Sequence, residues 1–158
     1  MKIAIGSDKS GFILKEAIKA YLTEAGIAFD DLGTQDVAEP HPYFQVASEV
    51  APLVSDGTYK QAILICGTGM GMNIVANKFK NVYAGVVESV YGAKMMRAIN
   101  NANVLCMGGW LIGPEMGVEM AKAFLSTDFL QDLEDWRQTF LTNAEKQVIA
   151  IEAKQYDK

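Results

Sequence analysis

Residues 60–77 read Lys60-Gln61-Ala62-Ile63-Leu64-Ile65-Cys66-Gly67-Thr68-Gly69-Met70-Gly71-Met72-Asn73-Ile74-Val75-Ala76-Asn77. An uninterrupted apolar run of this length, closed by glycine, is the pattern of a strand buried on both faces. It places Cys66 at the strand's carboxyl end, facing the backbone N–H groups of a glycine-rich turn that opens a helix from about Gly71 to Phe79. A thiol beside a concave array of N–H donors can bind an anion, do redox chemistry, move a proton, or simply pack.

Outward from this stretch, strand-length apolar runs alternate with helical periodicity. Toward the amino terminus, Lys2 to Ser7 reads as a strand, and Ser10 is the expected cap of a helix from about Gly11 to Ala25. Its apolar positions Ile13, Leu14, Ala17, Ile18, Tyr21 and Leu22 share one face, and Gly26 ends it. A short strand around Ile27 to Leu32 leads through the loop Gly33 to Pro42 into a helix from about Tyr43 to Val54. Toward the carboxyl terminus come a strand Val82 to Val87, a helix Val90 to Asn100 and a strand Asn103 to Met107. Pro114 suits the first turn of a helix that runs to about Leu125. Leu133 to about Lys154 then carries Trp136, Phe140, Leu141, Ala144, Val148 and Ile151 as one long amphipathic stripe.

Five strands alternating with helices predict a doubly wound, Rossmann-like α/β fold with a parallel sheet between two helical layers and the ligand beyond the strands' carboxyl ends. The last helix is longer than so small a sheet can cover, so the segment from about 131 to 158 is expected to bury its stripe against a second copy, making a homodimer or a dimer of dimers. No repeat or linker divides the chain, and 158 residues with 50% hydrophobic content suffice for a single domain.

A net charge of −5 with no cluster of Lys or Arg speaks against a nucleic-acid surface, so the expected partner is a small molecule. No apolar stretch reaches the roughly 18 residues of a membrane span, and the opening residues read as a strand, so a cytoplasmic protein without membrane attachment is expected. Cys66 and Cys106 are expected to be free thiols. One histidine and two distant cysteines cannot form a closed metal site, and Met95, Met96, Met107, Met116 and Met120 read as core or interface filler.

Three strand ends converge on the expected crevice. Gly6-Ser7-Asp8-Lys9-Ser10-Gly11 presents a carboxylate, an amine and hydroxyls at a helix start, where Asp8 or Ser10 could equally be a cap. Cys66 to Gly71 adds the Thr68 hydroxyl to the thiol, although glycine turns also serve plain strand-to-helix connections and strand-end cysteines often only pack. The asparagines between Arg97 and Asn103 fit either turn formation or an oxygen-rich ligand.

The opening Met1-Lys2-Ile3-Ala4-Ile5-Gly6-Ser7-Asp8, Leu32-Gly33-Thr34, the block Ile63 to Asn77 followed by Lys78, and Asn103-Val104-Leu105 through Ile112-Gly113-Pro114-Glu115 resemble the ribose-5-phosphate isomerase B and galactose-6-phosphate isomerase family. The resemblance runs in register over roughly residues 1–130 and is most specific at the Cys-Gly-Thr-Gly turn followed by Asn-Lys. It implies a Rossmann-like dimer, without metal or nucleotide cofactor, that interconverts aldose and ketose sugar phosphates through a cis-enediol. By position, Cys66 would be the base between C1 and C2 and Thr68 would assist at the sugar oxygens. The N–H groups of Gly67, Gly69, Gly71 and Met72 would hold the enediolate. Asp8 would bind a sugar hydroxyl, Asn100 would reach across the dimer, and Arg137 would meet the phosphate, although Leu130 to Trp136 departs from the family's glycine- and arginine-rich run.

Two further departures bear on substrate. Lys9 stands where the ribose-phosphate enzymes usually carry histidine, and an ammonium still suits a phosphate. Ile99 stands where the family places the histidine that opens the furanose ring, and isoleucine transfers no proton. His41, the single histidine, either substitutes for that acid beside the sugar or is merely solvated. Three readings follow: an isomerase of a four-carbon, open-chain tetrose or tetrulose phosphate; a pentose or hexose phosphate isomerase whose ring opens spontaneously or through His41; or a non-catalytic sugar-phosphate binder or silent subunit of a hetero-oligomer. Retention of Cys66 and Thr68 favours an enzyme, since a binding module would need the glycines and not the thiol.

Overall fold

A computed structural model describes residues 2–156. Met1 of the opening motif and the last two residues of the carboxyl-terminal segment lie outside them. The strands are β1 (Ile3–Ser7), β2 (Phe29–Asp31), β3 (Ala62–Cys66), β4 (Ala84–Val86) and β5 (Val104–Gly108), interleaved with helices α1 (Phe12–Glu24), α2 (Tyr43–Ser55), α3 (Met70–Ala76), α4 (Val90–Asn100) and α5 (Pro114–Ser126). Helix α6 (Asp135–Tyr156) follows. All pairings are parallel, in the order β2-β1-β3-β5-β4.

Residue alternation along the central strands divides the interior in two. Ile3, Ile5, Ile63, Ile65, Leu105 and Met107 point to one face, where α1, α4 and α5 bring Leu14, Ile18, Ala93, Met120 and Phe124. Ala4, Ala62, Leu64, Cys66, Val104 and Cys106 point to the other, covered by α2 and α3 through Val46, Val50, Val54, Met72 and Ala76. Because both faces are covered, these strands read as continuous apolar runs. The edge strands β2 and β4 are three residues each, shorter than the six expected of each from their apolar runs. An outer strand with one neighbour needs less pairing, and the carboxylates Asp30 and Asp31 take ion pairs at the β2 edge.

Two local expectations are corrected. Ile13, read onto the apolar face of α1, is 75% exposed. Ser10 does not cap α1: the helix starts after Gly11 with no side-chain cap, and the Asp8 carboxylate accepts the N–H groups of Ser10 (2.8 Å) and Gly11 (3.1 Å). The stripe of α6, expected to meet a second copy, is mostly outward-facing in the single chain, with Leu141 its one buried residue. Trp136, Phe140 and Ile151 are 70%, 63% and 60% exposed. Polar bonds hold α6 instead, with Asn101 donating to Glu145 (2.6 Å), Tyr83 donating from its hydroxyl to Glu152 (2.9 Å), and the Asn81 N–H donating to Glu152 (2.8 Å).

Candidate active site

The carboxyl ends of β1, β3 and β5 are stitched together by backbone bonds. The Asp8 N–H donates to Ile65 O (3.2 Å), the Gly109 N–H to Cys66 O (2.7 Å) and the Trp110 N–H to Gly67 O (3.0 Å). Order β2-β1-β3 puts the reversal of winding between β1 and β3, where the Asp8–Gly11 and Cys66–Gly71 segments diverge to opposite layers and leave a crevice.

Cys66 ends β3 at that crevice, 5% exposed, and the Gly69 N–H donates to its sulfur at 3.2 Å. Gly69 adopts φ +79°, and a Cβ there would stand 2.9 Å from the Met107 carbonyl carbon, so the amide that reaches the thiol belongs to a position only glycine fills without strain. The turn then enters α3, whose first amides, those of Gly71 and Met72, lack an intrahelical acceptor. Thr68 is half-buried, and its hydroxyl oxygen accepts the Met70 N–H at 3.4 Å.

Geometry separates the two cysteines where sequence could not. Cys106 lies inside β5, wholly buried beside Leu64, and burial pushes its thiol far above the ordinary range. Cys66 alone opens on the crevice. Both are free thiols.

Aromatic rings bracket the turn. A Cβ on Gly67 would fall 2.8 to 2.9 Å from three atoms of the Trp110 indole, and one on Gly71 would fall 2.7 Å from the Tyr43 ring. Each glycine is there to let a ring lie on the backbone. Trp110 was not singled out from sequence; an indole directly after Gly108-Gly109 at a strand's end was the available signal.

On the β1 side, Asp8 is half-buried, and burial raises its carboxyl above the usual range despite the two N–H groups it accepts. Lys9 is exposed, and its ammonium has no partner among the described residues. His41 is also exposed, held by its own N–H to the Thr34 hydroxyl (3.0 Å), and Tyr43 two residues on reaches the thiol turn. Behind this loop lies a pair that sequence reasoning missed. Lys15, fully buried on α1, donates to Asp31 (2.6 Å) and to the Thr34 carbonyl, so it fixes the residue that fixes His41. A lysine on a helix reads as solvated, and its acceptors lie 16 and 19 residues away.

Two expected site residues do not join this crevice within one chain. Asn100 ends α4, which runs back to the amino-terminal edge of the sheet, where Asn103 O accepts the Ala62 N–H. Cys66 is at the other end of β3, about 13 Å along the strand from Ala62. Arg137 begins α6 on the same far side, since the Leu130 N–H preceding it bonds to Ala98 O. Ile99 and Asn100 line a cavity of about 80 Å³ with Tyr83, Leu141, Val148 and Ile149, away from the thiol. Met72 serves the core with its side chain fully buried, so its backbone N–H alone is left for a ligand. Arg97, a further basic residue at that edge, is spent on structure, donating to Thr127 O, Asn101 and Ala102 O.

Residues 3–139 match the family model described as Ribose/Galactose Isomerase. The chain is 54% identical over its full length to the 4-deoxy-4-sulfo-D-erythrose isomerase of Clostridium sp. (strain MSTE9), covering 99% of that protein. It is 38% identical over 82% of its length to the D-erythrulose-4-phosphate isomerase of Pectobacterium atrosepticum, covering 85% of it. Among solved structures, the ribose-5-phosphate isomerase B of Clostridium thermocellum is similar with a TM-score of 0.87 at 32% identity, over 98% of this chain and 99% of that one.

Proposed function

This chain belongs to the ribose/galactose isomerase family, and from that premise we propose that it interconverts the aldose and ketose forms of a four-carbon sugar bearing a terminal tetrahedral anion. The observation that carries the chain length is Ile99 at the position of the ring-opening acid. A tetrose whose C4 bears a sulfonate, or whose C4 oxygen is phosphorylated, has no free C4 hydroxyl and forms no furanose, so that acid would be idle. A sulfonate is favoured by the 54% identity to the sulfoerythrose enzyme, and a phosphate is the second candidate.

In the proposed reaction the Cys66 thiolate takes the C2 proton of the aldose. The C–H electron pair becomes the C1=C2 bond, and the carbonyl π pair moves to O1. The Gly67, Gly69, Gly71 and Met72 amides meet the charge on the enediolate, preorganised by the turn. Thr68 relays the O2 proton to O1, and the Cys66 thiol, its proton exchanged with solvent, protonates C1 to complete the ketose. Asp8 orients a sugar hydroxyl, while Lys9 and His41 stand at the mouth toward the terminal anion.

The active unit is proposed to be a homodimer formed by residues 1–158 as one domain, with the segment from about 131 onward used in pairing. The far-side position of Ile99, Asn100 and Arg137 supports a site completed by a second copy, and the outward apolar residues of α6 support a partner surface. The test is incubation with 4-deoxy-4-sulfo-D-erythrose in D2O, followed by proton NMR. The proposal expects the ketose to appear with deuterium confined to C1; an unreacted aldose would refute it.

A further inference from the structure

We propose that Trp110 is a specificity-determining residue, its indole forming the fixed wall that limits the substrate to a short chain; this rests on the four-carbon reading above. The ring is laid flat on Gly67, the residue after the thiol, so closely that a Cβ would meet three indole atoms within 2.9 Å. Its position is set from both sides. The Trp110 N–H bonds to Gly67 O, and a Cβ on the preceding Gly109 would stand 2.5 Å from Ser10 O, so the β5 connection is wedged between the thiol turn and the segment bearing Lys9. A substrate that places C1 and C2 at Cys66 and its anion at Lys9 passes this ring. The indole is nonetheless 73% exposed, so it contributes little to the core and keeps most of its apolar surface free to meet a ligand. An apolar wall anchored through its backbone in this way discriminates by length, because each additional carbon must displace it or lose register with the donors.

Trp110→Ala and Trp110→Phe are compared with wild type on D-erythrose 4-phosphate and D-ribose 5-phosphate. Trp110→Ala is expected to raise the pentose-to-tetrose ratio of kcat/KM by about tenfold or more, and Trp110→Phe to stay near wild type. An unchanged ratio in Trp110→Ala, with both substrates slowed equally, would reduce the indole to a structural prop. A second readout does not depend on turnover. In a Trp136→Phe background Trp110 is the only indole, and 4-phospho-D-erythronate is expected to shift its emission over the concentrations that inhibit the enzyme. Inhibition without any change in emission overturns the proposal. A wild type that prefers the pentose would instead count against the four-carbon reading, while the change in ratio on substitution would still judge Trp110.

Discussion

The backbone N–H of Gly69 donates to the sulfur of Cys66 at 3.2 Å, from a residue held at φ +79°. The thiol and its donor are therefore one unit, shaped by a backbone conformation that L side chains rarely adopt. Gly69→Ala is expected to cost about 1–3 kcal/mol of stability and to lower turnover further, because the amide array shifts with the turn. Thermal melts and initial rates on one preparation separate the two losses; a full-rate Gly69→Ala enzyme would show that the turn geometry is dispensable.

Cys66→Ala should lower turnover by about 10²- to 10⁴-fold while 4-phospho-D-erythronate still binds. Cys106→Ala should leave the rate unchanged, since that thiol is sealed inside β5. Brief exposure to iodoacetamide should modify Cys66 first, as peptide mass spectrometry would reveal. Preferential modification of Cys106 would mean that the strands open in a way the packing does not suggest.

How much of this was visible in residues alone varies with the kind of contact. Ile63 to Cys66 is buried on both faces, and such a strand announces itself, as does α1, whose Leu14, Ile18 and Leu22 fall on the buried side. Glycines that serve close approach were legible as a turn but not as seats for particular rings, because Trp110 and Tyr43 come from other loops. Ser10 looked like a cap because its type suits one, whereas Asp8 reached the amides first. Lys15 was invisible for a related reason: its burial depends on Asp31 and Thr34, partners that only the fold brings near. The family pattern set Asn100 across the dimer and gave no such placement for Arg137; the direction of α4 and the start of α6 put both on the side of the sheet away from their own thiol.

The Lys15–Asp31 pair carries a pH dependence. Burial acts to raise the Asp31 carboxyl, but the bonds from Lys15 and Lys19 and the Gly33 N–H outweigh it and hold the group below its ordinary value. A depressed carboxylate contributes stability that is present above its unfolded value, about 3.9, and is lost as pH falls through its lower folded value. Removing one partner of a buried pair costs about 3–5 kcal/mol; Lys15→Met is expected at or below the low end, because Lys19 still holds Asp31 at 2.8 Å. Denaturant melts between pH 3 and 7 check both points. A Lys15→Met protein as stable as wild type at pH 7 would remove the pair from the account.

Sharing of the site between copies can be read by complementation. Cys66→Ala and Asn100→Ala enzymes, each impaired alone, should regain about a quarter of wild-type activity when unfolded and refolded together at equal amounts, because half of randomly paired dimers then hold one intact site. Activity no greater than the sum of the two separate variants would place Asn100 outside the neighbouring site.

Ile99 in place of an acid is proposed to mean that the ring-opening half of the chemistry has been dispensed with because the substrate has no ring. Its most direct test is the ratio of kcat/KM for 4-deoxy-4-sulfo-D-erythrose and D-erythrose 4-phosphate against that for D-ribose 5-phosphate, measured on wild type and on Ile99→His. Wild type is expected to favour both four-carbon aldoses over the pentose, and Ile99→His to raise activity on the pentose alone. Faster turnover of ribose 5-phosphate by the wild-type enzyme would contradict it.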